Sequence, residues 1–95
     1  MEQRNEILIN NAGIVGPAKV WAQESRIWHR VIGVNLDATF YATRAFSKPM
    51  VDRGFGRIVN LASLNAYQAP PETAAYSAAK AAITGYTRST ARDLA

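Results

Sequence analysis

The sequence predicts an α/β fold with parallel strands, and three observations carry that prediction. Two short apolar runs, Ile7-Leu8-Ile9 and Ile58-Val59, are each followed by turn or polar residues. A long helical pattern separates them. Gly54-Phe55-Gly56 ends that pattern just before the second run. A strand, a long crossover and a second strand make a βαβ unit, whose strands run parallel and whose crossover is right-handed.

The first strand is closed by Asn10-Asn11 and Gly13, as a buried parallel strand would be. A loop through Gly16-Pro17 leads to a helical stretch from about Ser25 to Arg53, expected in two pieces. Its apolar positions are Ile27, Val31, Val34, Ala38, Ala42, Ala45 and Phe46. Pro49 is expected to kink its last turn, and Gly54 to supply the left-handed residue just past its end. Arg57 to Ala62 reads as the second strand, with Ile58, Val59 and Leu61 suited to burial on both faces. After a loop containing Pro70-Pro71, a final helix starts near Thr73 or Ala74 and runs to the terminus. Glu72 suits the positive end of that helix dipole.

Composition describes one soluble globular unit: 95 residues, 48% hydrophobic and 19% charged. The net charge is +4, but the basic residues are spread from Arg4 to Arg92. Nucleic-acid binding wants a cluster or stripe, so no nucleic-acid partner is expected. With no cysteine there is no disulfide framework or thiolate metal site, and no metal is expected. Residues 1 to 6 are polar and lack the apolar core of a signal peptide. No apolar run reaches membrane-span length, so no membrane partner is expected and a cytoplasmic home is. Without repeats or linkers, a single domain is expected.

Tyr76 and Lys80 stand four residues apart among good helix formers, which places a phenol and an ammonium on one helix face. A neighbouring cation favours the ionised form of a phenol, so such a pair is a candidate general acid or base. Ser63 lies thirteen residues before Tyr76, directly after a strand. Asn35 sits inside a helix, where its side chain competes with the backbone for hydrogen bonds, and this suggests a tertiary role. Plainer readings exist for each: Tyr76 as a packing residue, Lys80 as a solvated charge, Ser63 as a loop hydroxyl or cap, and Asn10 and Asn11 as turn residues. His29 reads as packing or surface, and no Gly-x-Ser-x-Gly elbow accompanies it. Trp21 and Trp28 read as packing anchors, Asp37 and Asp93 as solvated helix charges.

Taken together these residues resemble the classical short-chain dehydrogenases/reductases. The resemblance rests on Ile9-Asn10-Asn11-Ala12-Gly13, on Val34-Asn35-Leu36 following Trp28, on Gly56-Arg57-Ile58-Val59-Asn60 leading to Ser63, and on Tyr76-Ser77-Ala78-Ala79-Lys80. It implies a Rossmann-type doubly wound parallel sheet, of which this chain would be a central β-α-β-α portion. It also implies Asn35, Ser63, Tyr76 and Lys80 as the catalytic group, and Asn11, Ala12, Gly13, Tyr76 and Lys80 as contacts to an NAD or NADP cofactor. The implied reaction is hydride transfer between a carbonyl and a secondary alcohol of a small molecule. Within the family, the resemblance is to 3-oxoacyl-carrier-protein reductases and sugar or polyol dehydrogenases. A homo-oligomer, dimer or tetramer, is implied for the full-length form.

The match departs from the family in what flanks it. Residues 1–95 read as a partial NAD(P)-binding domain that lacks the N-terminal phosphate-binding unit and the C-terminal substrate segment, because no Gly-x-Gly-x-x-Gly set precedes the first strand. Leu64 to Glu72 is expected to border the substrate. Three further readings are a short-chain epimerase or dehydratase, which the Asn-Asn-Ala-Gly motif and Asn35 disfavour, a truncated non-catalytic chain that keeps only a helix-mediated subunit interface, and a fragment with no function of its own.

Overall fold

The computed structural model describes residues 7–95. Strands β1 (Ile7–Asn10) and β2 (Arg57–Asn60) pair in parallel, in register from Ile7 opposite Arg57 to Asn10 opposite Asn60. The parallel arrangement is the one the long crossover demands. β2 is shorter than expected and stops at Asn60, level with the end of β1, although the Leu61 N–H still donates to the Asn10 carbonyl at 3.1 Å.

The expectation that the second strand is buried on both faces fails. Leu8, Asn10, Ile58 and Asn60 share the half-buried face, which meets the helices. Ile7, Ile9, Arg57 and Val59 share the other, and Ile7 and Ile9 remain 63% and 61% exposed. Side chains alternate across a strand, and among the described residues the helices cover one face only.

The long helix forms over the predicted span. It comprises α1 (Ser25–Ile32), a π-helical turn (Gly33–Asp37) and α2 (Ala38–Arg53), and the backbone stays right-handed helical at both junctions. The expected two pieces are therefore joined by one wide turn, in which the Ala38 N–H reaches back to the Gly33 carbonyl. The helix continues through Pro49 to Arg53 and ends on Gly54 at φ 75°, whose N–H closes onto the Met50 and Val51 carbonyls.

Its fully buried line differs from the apolar stripe read from the sequence. Val31, Asn35, Thr39 and Thr43 are buried, four residues apart, while Ala45 is exposed. Polar side chains can occupy that line because they are satisfied locally or by the strand: Thr39 Oγ1 donates to the Asn35 carbonyl, and Thr43 Oγ1 accepts from Asn10 Nδ2.

After β2 the chain forms a single helical turn, α3 (Asn65–Gln68), that the sequence reading placed in a loop. Ser63 and Leu64 carbonyls start this turn, and Ala69 ends it at φ 44°. The final helix, α4 (Ala74–Asp93), begins where expected and buries Ala75, Ser77, Ala79, Lys80 and Ile83. Glu72 does not serve its N-terminus. It adopts φ 68° and pairs with Lys19 at 3.2 Å instead.

Trp21 and Trp28 are not packing anchors in these residues. Trp21, in the one-turn 3₁₀ helix Val20–Ala22, is 82% exposed, and Trp28 is 36% exposed. Among the described residues, no helix is long and apolar enough to cross a membrane.

Candidate active site

Asn35 is the best-defined polar residue of the site. It is fully buried in the π-helical turn, and its Nδ2 donates both hydrogens, to the Ile14 carbonyl at 2.7 Å and the Val31 carbonyl at 2.8 Å. Two carbonyl partners can only face an NH2 group, so the orientation of the amide is forced. Oδ1 is left buried and without a hydrogen-bond partner. A buried acceptor in that state is rare enough to require a reason.

Oδ1 points at the close approach of the chain after β1. A Cβ built on Gly13 would lie 2.8 Å from Asn35 Oδ1 and 3.6 Å from Lys80 Nζ. Gly13, Asn35 and Lys80, from three separate parts of the sequence, therefore surround one small gap, and the missing side chain of Gly13 keeps it open.

Lys80 is 4% exposed, against the plainer expectation of a solvated charge. Its Nζ donates to the Leu61 carbonyl at 3.1 Å and lies 5.6 Å from the centre of the Tyr76 ring. An ammonium has three donors, and among the described residues this carbonyl is its one hydrogen-bond acceptor. No carboxylate pairs with it there. A buried cation is ordinarily paired or fully hydrogen-bonded, so two N–H groups remain for water or a ligand. Tyr76 is half-buried on the same face of α4, one turn earlier, with no hydrogen bond to its hydroxyl among the described residues.

Ser63 follows β2, one residue before Leu64 at the N-cap of α3, and its Oγ accepts the Asn65 N–H at 3.2 Å. That is the plain reading, and it coexists with the functional one: accepting leaves the hydroxyl hydrogen free to donate elsewhere. Among the described residues no hydrogen bond joins Ser63 to Tyr76. Asn11, Ala12 and Gly13 are exposed in the segment after β1.

Asn60 and Leu61 are expected from the sequence only as parts of the second strand, and Thr43 and Thr87 carry no expectation; none of the four is among the predicted site residues. Asn10 Nδ2 bonds Asn60 Oδ1 at 2.8 Å across the strand ends, and Asn60 Nδ2 bonds Thr87 Oγ1 of α4 at 2.9 Å. Asparagine is depleted in strands, and its presence at the end of an apolar run was the available signal. The role of Leu61 is played by its carbonyl and leaves no trace in residue type.

The loop read as a substrate border joins a cleft of about 430 Å3 lined by Val20, Trp21, Pro70, Pro71 and Ser77. The Lys19–Glu72 ion pair and the Ala18 N–H to Glu72 carbonyl bond hold its two walls together. A larger cleft, about 790 Å3, opens between the C-terminal ends of α2 and α4 and contains none of the predicted site residues. Among the described residues no group of His, Asp and Glu could hold a metal ion.

Residues 3–95 match the family described as short chain dehydrogenase. The chain is 43% identical over 91 residues to a 2-dehydro-3-deoxy-L-rhamnonate dehydrogenase (NAD(+)) of Sphingomonas sp. (strain SKA58), covering 95% of this chain and 36% of that one. It is 39% identical over 92 residues to a 3-oxoacyl-[acyl-carrier-protein] reductase of Synechocystis sp., covering 97% and 37%. Among solved structures, a gluconate 5-dehydrogenase from Burkholderia cenocepacia J2315 in complex with NADP and tartrate superposes with a TM-score of 0.93 at 38% identity, covering 95% and 35%. The chain thus spans little more than a third of the length of these relatives. Likeness at this level shows the Rossmann-type α/β fold class expected from the sequence, of which the described residues form a part with two parallel strands.

Proposed function

We infer, because the chain belongs to the short chain dehydrogenase family, that the whole protein is an oxidoreductase that interconverts a carbonyl and a secondary alcohol with NAD or NADP. The observation that carries this reading is the convergence of Asn35 Oδ1 and Lys80 Nζ on one gap at Gly13, with the Tyr76 ring centre 5.6 Å from that ammonium. The residues fit a nicotinamide nucleotide. Lys80 offers two spare donors for ribose hydroxyls, and the exposed residues Asn11, Ala12 and Gly13 offer polar groups for the adenosine side. When bound, the cofactor supplies or accepts the hydride.

The chain's own residues manage the proton and the reacting oxygen. In reduction the Tyr76 hydroxyl gives its proton to the oxygen that becomes the alcohol, and in oxidation it takes that proton back. Ser63 donates its free hydroxyl hydrogen to the same oxygen and holds it in line. Asn35 Oδ1 accepts from a water, which links Lys80 to solvent and restores the proton at Tyr76; the orphaned acceptor beside a buried ammonium supports that role. The relatives' names support a 3-oxoacyl-carrier-protein-reductase-like or sugar- or polyol-dehydrogenase-like substrate. A homo-oligomer through the exposed faces of α2 and α4 and a cytoplasmic location belong to the same proposal.

The test is Tyr76→Phe in the full-length polypeptide, with turnover of carbonyl substrates and cofactor affinity measured side by side. Turnover should fall by about 10³-fold or more while the cofactor dissociation constant changes by less than about threefold. Retained turnover would exclude Tyr76 as the acid.

A further inference from the structure

Lys80 depends on α4 lying at one height along β2, and the helix face that does the packing has little to set that height. The buried residues around Lys80 are Ala75, Ser77, Ala79 and Ile83. Small side chains make a smooth surface, and apolar contact through Ile83 is non-directional. Directional contacts must fix the axial position of the helix.

Two such contacts join α4 to the end of β2. Lys80 Nζ donates to the Leu61 carbonyl at 3.1 Å, and Thr87 Oγ1 accepts from Asn60 Nδ2 at 2.9 Å. Asn60 and Leu61 are adjacent in the chain, whereas Lys80 and Thr87 are two helical turns apart on one face, about 10 Å along the axis. The Asn60–Thr87 bond is anchored in both directions. Thr87 passes its own hydrogen to the Ile83 carbonyl at 2.7 Å, and Asn60 Oδ1 accepts from Asn10 Nδ2, which also reaches Thr43 Oγ1 on α2 at 3.4 Å. A continuous crossbar therefore runs from α2, the helix that follows Asn35, through both strands to α4, the helix that carries Lys80 and Tyr76.

We propose that Asn60 and Thr87 are positioning residues, a polar crossbar that sets the height of α4 so that Lys80 meets the Leu61 carbonyl and faces Asn35. The effect on catalysis rests on the dehydrogenase reading; the effect on Lys80 does not. Removing the Asn60–Thr87 bond leaves Lys80 as the single directional tie, and the helix shifts or opens enough to expose the ammonium.

The experiment is competitive amine labelling of the full-length polypeptide without cofactor. Lys80 modification is read by mass spectrometry against Lys48, whose side chain is 77% exposed and paired only with exposed Asp52. Wild-type Lys80 should be protected. Asn60→Ala and Thr87→Val should each raise its labelling relative to Lys48 by about tenfold through local opening, and Thr87→Ser, which keeps the hydroxyl, should restore protection. In turnover assays the first two variants should lose about 10- to 100-fold in kcat with substrate KM changed less than about twofold, again rescued by Thr87→Ser. Unchanged Lys80 protection in Thr87→Val, or loss of protection in Thr87→Ser equal to that in Thr87→Val, overturns the proposal. The valine and serine pair decides it if Asn60→Ala does not fold. Absence of turnover and of cofactor binding in the wild type would sink the dehydrogenase reading alone, because the labelling comparison stands without either.

Discussion

Gly13→Ala tests the geometry of the site through a single methyl group. The new Cβ would stand 2.8 Å from Asn35 Oδ1, about 0.7 Å inside the roughly 3.5 Å at which carbon contacts are best. Asn35 cannot swing away freely, because its side chain is fully buried and its Nδ2 is tied to two carbonyls at 2.7 and 2.8 Å. Overpacking of this kind costs about 1–3 kcal/mol, and surrendering one of the two bonds costs a similar amount, about 1–3 kcal/mol, by leaving a carbonyl short. These are alternative routes of relief, so the expected loss is about 2 kcal/mol rather than their sum. Gly13 lies outside the left-handed region, so alanine fits its backbone and the penalty should come from the contact alone. Urea unfolding of Gly13→Ala, Asn35→Ala and the double variant in the full-length polypeptide completes the cycle. In the Asn35→Ala background the cost of alanine at position 13 should fall below about 0.5 kcal/mol, which gives a coupling of about 1.5 kcal/mol. Equal costs in both backgrounds would show that Asn35 Oδ1 does not press on this gap, and the convergence on which the site rests would be refuted.

Two other glycines separate steric from conformational effects. Gly16 has φ 54° and an added Cβ would lie 2.6 Å from Val31 Cγ2, so Gly16→Ala should destabilise by about 1–3 kcal/mol, seen as a lower urea midpoint at unchanged slope. Gly85, exposed inside α4, has nothing within 4 Å of an added Cβ, so Gly85→Ala should raise stability by about 1 kcal/mol through helix propensity. A loss at Gly85, accompanied by dissociation on sizing, would mean that a second copy of the protein covers that face.

The sequence by itself determined the order of elements and their direction. Ile7-Leu8-Ile9 and the run from Arg57 to Ala62 had to hold parallel strands because a long helix connects them, although β2 stops at Asn60, and Gly54 had to end that helix because of its conformational freedom. Asn35 was recognisable as a tertiary residue because it is a poor helix former inside a helix. Those inferences depend on local physics, in which neighbours along the chain settle the outcome. The sequence did not disclose that the buried line from Val31 to Thr43 is mostly polar, that Trp21 stands in solvent, or that Glu72 pairs with Lys19 rather than serving α4. Burial and pairing depend on which distant surfaces meet. Tertiary structure alone decided that Lys80 is buried against a backbone carbonyl, and that the missing side chain of Gly13 leaves a gap between it and Asn35. A backbone carbonyl is alike at every position, and a glycine does not say what its missing side chain would meet, so only the folding of three separated segments onto one point gives them a chemical role.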